Sequence, residues 1–414
     1  MIYFPFIFFG ILFIKNYIKR GLDVYSFLIL LYVVSSLFSI FVDSLNLYRY
    51  FDIFKYPLGL FAPFVYCFLL AICFYPFKKF NSNKIKEFKS INEKWYNLIV
   101  WIFFGIFILM LVVSYNRLSE IITTQTLSAI RDDFYHGNAE SIWSNYTGWF
   151  RYFIAIMSLL AKSSFILILF FFFNVAILHK SLGFNIITLL GSSIPLIQSL
   201  YIADRSSFIQ WLLIFCLSFV IFRRHMSIKV YRQFVLYGCI IFTLLIIYLA
   251  AVSISRFGEE AGSSVYDALV YYAGSSYIQF CNFFNVLDSD APFSLSPLFP
   301  FTYWILGMPG YFEQCEVVES YYRHGVSNFS TFLGMILSMS GKLVMFFFVF
   351  VYYNISNILL KRKNLNSISF RQLTLFFIVV LIPTNGLFGY YYMSYSSVFD
   401  IIIWLMISSF VTKK

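Results

Sequence analysis

Runs of about 17–25 apolar residues recur along the whole chain, each long enough to cross a hydrocarbon core of about 30 Å as a helix. In hydrocarbon the backbone N–H and C=O groups must find partners within the protein, so the spanning elements are either helices or a closed β-barrel. A barrel strand alternates over about 10 residues, and Phe170-Phe171-Phe172-Phe173 does not. With 12% charged residues, against roughly 25% in a soluble domain, and a mean hydropathy of +0.79, the chain reads as an all-α, polytopic integral membrane protein.

Spans are expected at about 2–14, 24–42, 56–76, 95–114, 155–178, 184–200, 206–222, 233–254, 341–360, 370–388 and 397–411, about eleven transmembrane helices. The first run has no basic residues before it and no small-residue cleavage site after it, so it reads as a retained span and not as a signal peptide. No soluble domain can be cut away, and residues 1–414 are treated as a single transmembrane domain.

Alternate connections can then be compared by charge. One set holds Lys15, Lys19, Arg20, the lysines of 78–94, Lys180, the basic residues of 223–232, those of 361–371, and Lys413 and Lys414, opposed by Asp23, Glu87 and Glu93: net +17. The other set is net −6, and the two together give the chain's +11. Cytoplasmic loops carry the Lys/Arg excess, so the N-terminus is expected outside and the C-terminus in the cytoplasm. The positive charge is accounted for by topology, and no nucleic acid is implied.

Two sizeable outer loops follow, at about 115–154 and 255–340. The second is the longest interval without a span. It carries Arg256, Glu259, Glu260, Asp267, Asp288, Asp290, Glu313, Glu316, Glu319, Arg323 and His324 among prolines and tyrosines. A helix-like segment at 265–272 reads as broken at Gly274-Ser275-Ser276, which leaves the path of residues 264–287 either dipping into the membrane or lying along it. Cys281 and Cys315 read either as an outer pair or as two free thiols.

No Walker lysine loop, His-Glu-x-x-His, Cys-x-x-Cys or Gly-x-Ser-x-Gly motif is present, and the four histidines are scattered, so neither a metal nor a nucleotide cofactor is expected. What remains outside is arginine beside acids and aromatic rings. Arg205 sits with Asp204 in a connection so short that its guanidinium lies at or just inside the outer interface, where an arginine needs a partner; the plainer reading is a turn closed by a local ion pair. Arg256 follows the eighth span, where snorkelling would also account for it. A guanidinium fork matches phosphate oxygens two at a time and keeps its charge, as binding a lipid diphosphate requires. His324, beside Arg323, titrates near neutrality and is a candidate base for a sugar hydroxyl, with Asp267, Glu259 and Glu260 as rivals. In the first outer loop Arg131 lies with Asp132, Asp133, Tyr135, Trp143 and Trp149. The three glutamates of 313–319 also fit a solvated helix face, and the tyrosines and Trp304 also fit an interfacial belt.

Four local patterns resemble the bacterial oligosaccharide repeat-unit polymerases, the O-antigen polymerase group of the Wzy-dependent pathway. They are Ser128-Ala129-Ile130-Arg131 followed by Tyr135; Ala203-Asp204-Arg205-Ser206; Tyr271-Tyr272-Ala273-Gly274-Ser275 with Phe280 and Asn282-Phe283; and Ser327-Asn328-Phe329-Ser330-Thr331-Phe332 with Gly341. Ala203-Asp204 stands where the family has Gly-Ser, and Met339-Ser340-Gly341 where it has Asp-Phe-Gly, which removes a carboxylate there. The resemblance implies a C-type glycosyltransferase-like fold with a large outer loop, in the bacterial inner membrane. It implies a metal-independent transfer of a growing polyprenyl-diphosphate-linked oligosaccharide onto an incoming repeat unit, for O-antigen, capsule or exopolysaccharide. On that reading His324, Arg256 and Arg205 are catalytic, and Arg323, Arg131, Asp204, Asp267, Tyr272 and Glu259 bind substrate. The lipid bilayer is a second partner, and a chain-length regulator protein remains open as a third. An O-antigen ligase-type glycosyltransferase and a non-enzymatic lipid-linked oligosaccharide flippase stay as alternatives; an acyltransferase lacks a histidine–acid motif on the inner side.

Overall fold

The computed structural model describes residues 1–47, 58–123, 146–201, 206–236, 265–286, 293–322, 330–361 and 367–413, with positions 238, 240, 243 and 247. These are mostly helical. In chain order the helices are α1 (Phe4–Arg20), α2 (Val24–Ser44), α3 (Phe61–Lys79), α4 (Glu93–Thr123), α5 (Gly148–Leu160), α6 (Ile166–Phe173), α7 (Leu182–Ser192), α8 (Ile194–Tyr201), α9 (Ser206–Phe222), α10 (Val265–Val286), α11 (Pro300–Ile305), α12 (Tyr311–Tyr322), α13 (Phe332–Leu360), α14 (Phe370–Asn385) and α15 (Tyr395–Val411). Among the described residues, six stretches are long and apolar enough to cross a membrane, or seven if the bent pair α7–α8 counts as one span; α14 and α15 are shorter apolar helices.

The chain divides into two compact units, residues 1–87 with 266–399 and residues 88–265 with 400–414. In the first, α1 exposes Ile7, Ile11, Ile14 and Ile18, and the second part of α13 exposes Leu343, Phe347, Phe350 and Ile358. Both series follow the helical period, so each is one apolar stripe facing outward. The opposite face of α13, with Met345, Val349, Tyr352 and Ser356, is buried. Basic ends gather at one end of this unit: Arg20 donates to the Lys78 carbonyl at 2.5 Å, and Lys79 Nζ donates to Asn357 Oδ1 at 3.4 Å. At the opposite end, Lys342 Nζ lies 4.9 Å from the Phe284 ring centre and Phe284 packs on Phe61.

Buried tyrosines close gaps in the backbone ladder. Pro383 lies inside α14, and a proline has no N–H for the carbonyl four residues back, here that of Val379. The Tyr352 hydroxyl donates to that carbonyl at 3.1 Å. Close to the end of α14, where carbonyls lose their helical partners, Tyr32 donates to the Pro383 carbonyl at 3.1 Å.

One expectation needs correction in this unit, and one alternative is decided. Residues 265–286 form one uninterrupted helix, so Gly274-Ser275-Ser276 is not a break. The small residues are there because α2 crosses at backbone contact: Ser39 Oγ donates to the Gly274 carbonyl at 2.6 Å and Ser35 Oγ to that of Ala273 at 2.9 Å. Cys281 and Cys315 are buried thiols with no disulfide between them.

In the second unit every residue of α6 is buried, and α4 packs beside α7 and α8. The Tyr96 hydroxyl lies 2.8 Å from both the Phe170 carbonyl and Asn174 Oδ1 and can donate to either. Asn174 opens a wide π-turn over Asn174–Leu178, and its amide donates to Thr188 Oγ1. Gly191 admits close approach here, since a Cβ on it would sit 2.8 Å from Leu167.

Candidate functional site

The interior of the first unit holds a junction of interrupted backbone at the end away from its basic cluster. α13 is two helices, residues 332–340 and 342–360, meeting at Gly341 with φ 80 and ψ 173. Thr331 starts the first of them, its hydroxyl accepting the Gly334 N–H at 3.1 Å, and every residue of 332–340 is buried. Against it lies the irregular stretch that follows α14. The Phe332 N–H donates to the Gly386 carbonyl at 2.8 Å, the Tyr390 N–H approaches Met335 Sδ at 3.0 Å, and Gly389, at φ +144, leaves 2.7 Å between that sulfur and a built Cβ. Ser340 reaches across to the Ser294 carbonyl at 2.6 Å. Irregular backbone at membrane depth is tolerated where it is buried in protein or lines a cavity, and paired interruptions of this sort mark binding sites in membrane proteins.

The polar groups around the junction point the same way. Asn385 is 3% exposed, and neither its amide nitrogen nor its carbonyl oxygen has a hydrogen-bonding partner among the described residues. Ser330, fully buried, likewise has no partner for Oγ among them. Leaving such a group buried and unpaired costs about 1–3 kcal/mol, which an apolar side chain of similar volume would avoid. Buried polar groups also line α2 (Tyr32, Ser35, Ser36, Ser39) and α10 (Tyr271, Ser275, Gln279, Asn282). The spacing of each series keeps it to a strip along its helix. Gln279 Nε2 donates to the Tyr271 hydroxyl at 3.5 Å.

The backbone at Gly341 lies in a region essentially closed to residues with a Cβ, at a cost of about 1–3 kcal/mol. Gly341→Ala is therefore expected to lower the melting temperature of the detergent-purified protein. Gly10→Ala, placed in a regular helix with nothing within 4 Å of the added methyl, should leave it level or slightly higher. Equal melting curves for the two variants would show that the break is not a fixed feature of the fold.

Of the residues singled out from the sequence, Asp267 and Tyr272 lie on α10. Asp267 is half-exposed in the first helical turn, where a carboxylate complements the helix dipole. Tyr272 is half-buried, its ring edge-on to Tyr271 at 6.1 Å. Five positions apart, they stand about 140° from one another around the helix and do not share a face. Arg131, Asp204, Arg205, Arg256, Glu259, Arg323 and His324 lie outside the described residues. Glu313 accepts the Gly310 N–H at the start of α12, and Glu313 and Glu316 are exposed, as a solvated face requires. Trp304, 53% exposed, stacks on Tyr395 at 5.3 Å.

Sequence reasoning passed over Asn385 and, in the second unit, Asp400, and quoted Ser330 only as part of a local pattern without giving it a role. The signal for Asn385 was a carboxamide ending an apolar run. Asp400 is the only carboxylate in the span expected at 397–411. It is fully buried, one oxygen accepting the Ser163 hydroxyl at 2.6 Å and the other without a partner among the described residues. Trp404 Nε1 donates to the Ser163 carbonyl at 2.7 Å and holds the serine in place. Ionisable groups at such depth are by default functional candidates.

No protein-family model, curated protein or solved structure matches the chain.

Proposed function

We propose that the protein polymerises polyprenyl-diphosphate-linked oligosaccharide repeat units at the outer face of a bacterial inner membrane, without a metal. The observation that carries this reading is the junction at Gly341 and Gly386. It is a polar, interrupted interior at the end of the first unit away from the basic helix ends, where an enzyme receiving a substrate from the outer leaflet needs its site. The local resemblance of Tyr271–Ser275 and of Ser327–Phe332 with Gly341 to repeat-unit polymerases supports it further. In this reading the chain has about eleven spans in a C-type glycosyltransferase-like arrangement, with the N-terminus outside and the C-terminus cytoplasmic. Arg205 and Arg256 stabilise the departing diphosphate, and His324 or an acid of the same loop takes the proton of the attacking hydroxyl.

A non-enzymatic flippase is the second reading, and one observation favours it: Asp400, a carboxylate buried inside a helix of the second unit, is the kind of group that lines a transport path. Surface glycan from a strain lacking the protein, resolved on a gel, separates the readings. The polymerase predicts glycan carrying a single repeat unit. Complete loss of the glycan would implicate a flippase or a ligase, and an unchanged ladder would exclude all three.

A further inference from the structure

We infer that α11 and the turn after it, residues 299–308, insert into the lipid headgroup layer at the end of the first unit away from its basic helix ends, and so anchor the Gly341 break to the membrane surface. The inference goes beyond the polymerase reading and does not depend on it. From Ala291 to Phe312 the sequence holds no charged residue, with Asp290 before it and Glu313 after it, and it is dense in Phe, Tyr, Trp and Pro. Within it Phe299, Trp304, Ile305, Leu306 and Met308 are 45–64% exposed. Covering a fully exposed apolar side chain of this size stabilises by about 1.5–3 kcal/mol, so a cluster of five half-exposed ones calls for a cover.

Two observations name lipid as that cover. The first is position. The Ser294 N–H donates to the Met339 carbonyl at 2.7 Å and Ser340 Oγ donates to the Ser294 carbonyl at 2.6 Å. The segment is thereby tied beside the Gly341 break, just ahead of Leu343, which at 86% exposure heads the outward apolar stripe of α13. Trp304 stacks on Tyr395 at 5.3 Å and Phe301 meets Phe399 edge-on at 5.5 Å, so the same segment rests on the start of α15. It lies where two apolar helices begin, the level of a headgroup layer about 5–7 Å deep, where Trp and Tyr gather. The second observation is the backbone of the exposed turn. The Leu306, Gly307 and Met308 N–H groups donate to the Thr302, Trp304 and Tyr303 carbonyls, with Gly307 at φ 62, and Pro309 has no N–H to place. A turn facing water can leave such donors to the solvent; one pressed into a water-poor layer has to pair them internally.

The test uses the full-length protein in vesicles of phosphatidylethanolamine and phosphatidylglycerol doped with brominated phosphatidylcholine, because bromine quenches a tryptophan it touches. The chain has seven tryptophans, so the Trp304 signal is read as the emission lost in Trp304→Phe, a change that keeps a ring against Tyr395. Lipid brominated just below the headgroup is expected to remove most of that signal, and lipid brominated near the chain ends to remove less. Iodide on both sides of the membrane should leave the signal nearly unchanged. Ile305→Trp adds a ring at the neighbouring exposed position, and its added emission should follow the same pattern, which keeps the test decisive if Trp304→Phe disturbs the stack. Any one of three results overturns the anchor. Quenching by iodide and not by bromine places the turn in water. Quenching by neither means that protein covers it, as a second copy of the chain would. Stronger quenching by chain-end bromine places the ring in the hydrocarbon core and not in the headgroup layer. The glycan gel bears on the polymerase reading alone, so an unchanged ladder would end that reading and leave the anchor standing.

Discussion

Gly274→Val will unfold the first unit of this protein, or lower its melting temperature well beyond the effect of Gly341→Ala. A Cβ at Gly274 would stand 2.5 Å from the Phe38 carbonyl oxygen and 2.5 Å from the Ser39 nitrogen. These are backbone atoms of α2, and no rotamer change can clear them. To admit the side chain, α2 and α10 must separate. Separation breaks the Ser39 bond to the Gly274 carbonyl and the Ser35 bonds to the Ala273 carbonyl and to Ser276 Oγ, leaving the serine hydroxyls buried and unpaired at about 1–3 kcal/mol each. Overpacking adds about 1–3 kcal/mol, so the total enters the range above about 4–5 kcal/mol that few single substitutions reach. Gly105→Val is the control, because that glycine is exposed on α4 with nothing within 4 Å of an added Cβ. The fraction of monodisperse protein by size exclusion and the melting temperature in detergent are the measurements. If Gly274→Val and Gly105→Val melt at the same temperature, the backbone contact is wrong.

The same glycine shows how much of the fold the sequence disclosed. Apolar runs located several helices to within a few residues: 24–42 against Val24–Ser44, 206–222 against Ser206–Phe222, 370–388 against Phe370–Asn385. A hydrophobic run is a local signal, and local signals survive without knowledge of the neighbours. Gly274-Ser275-Ser276 reads locally as a place where a helix weakens. Only the partner at Phe38–Ser39 turns it into a close crossing, where small residues and hydroxyls hold membrane helices together. The second half of α10 was hidden for the same reason, since Gln279, Asn282 and Asn285 dilute its apolar character. A helix packed inside a bundle does not have to be apolar on every face. Gly341 was placed as the start of a span, and the structure corrects what precedes it: residues 332–340, assigned to the outer loop, form a buried helix.

The candidate site was legible to a smaller degree. Charged residues announce themselves in a hydrophobic chain, which is how Arg205 and Arg256 were singled out, though both lie outside the described residues. Asn385 and Ser330 do not, because polar side chains of that kind commonly cap helices or bond back to the preceding turn. Ser356 and Thr384 are also buried, and the Thr384 hydroxyl bonds to the Val380 carbonyl one turn earlier, while Asn385 beside it has no such outlet among the described residues. What separates the two adjacent residues is the set of neighbours, and that is a property of the tertiary structure alone.

Arg205→Ala and Arg256→Ala are each expected to abolish long-chain glycan in cells while the protein stays inserted at normal abundance. The argument is electrostatic. Displacing a diphosphate at an anomeric carbon leaves negative charge on the departing oxygens, and in a water-poor site a fixed guanidinium stabilises it more than bulk solvent would. Removing one such group costs about 10²–10³ in rate, enough to reduce a ladder of many repeats to its lowest rungs. Lysine variants sharpen the test, because they keep the charge and lose the planar fork. If the arginines serve only to anchor helix ends, Arg205→Lys and Arg256→Lys will give full ladders. If they bind the diphosphate two oxygens at a time, both will shorten it. His324→Ala run beside them assigns the base: full polymerisation in that variant moves the role to Asp267, Glu259 or Glu260. Among these, Asp267 already stands in the first turn of α10, where its charge also favours the helix, so Asp267→Asn must be checked for folding before its activity is interpreted. Normal ladders in both arginine-to-alanine variants, with the protein present in the membrane, would end the diphosphate assignment.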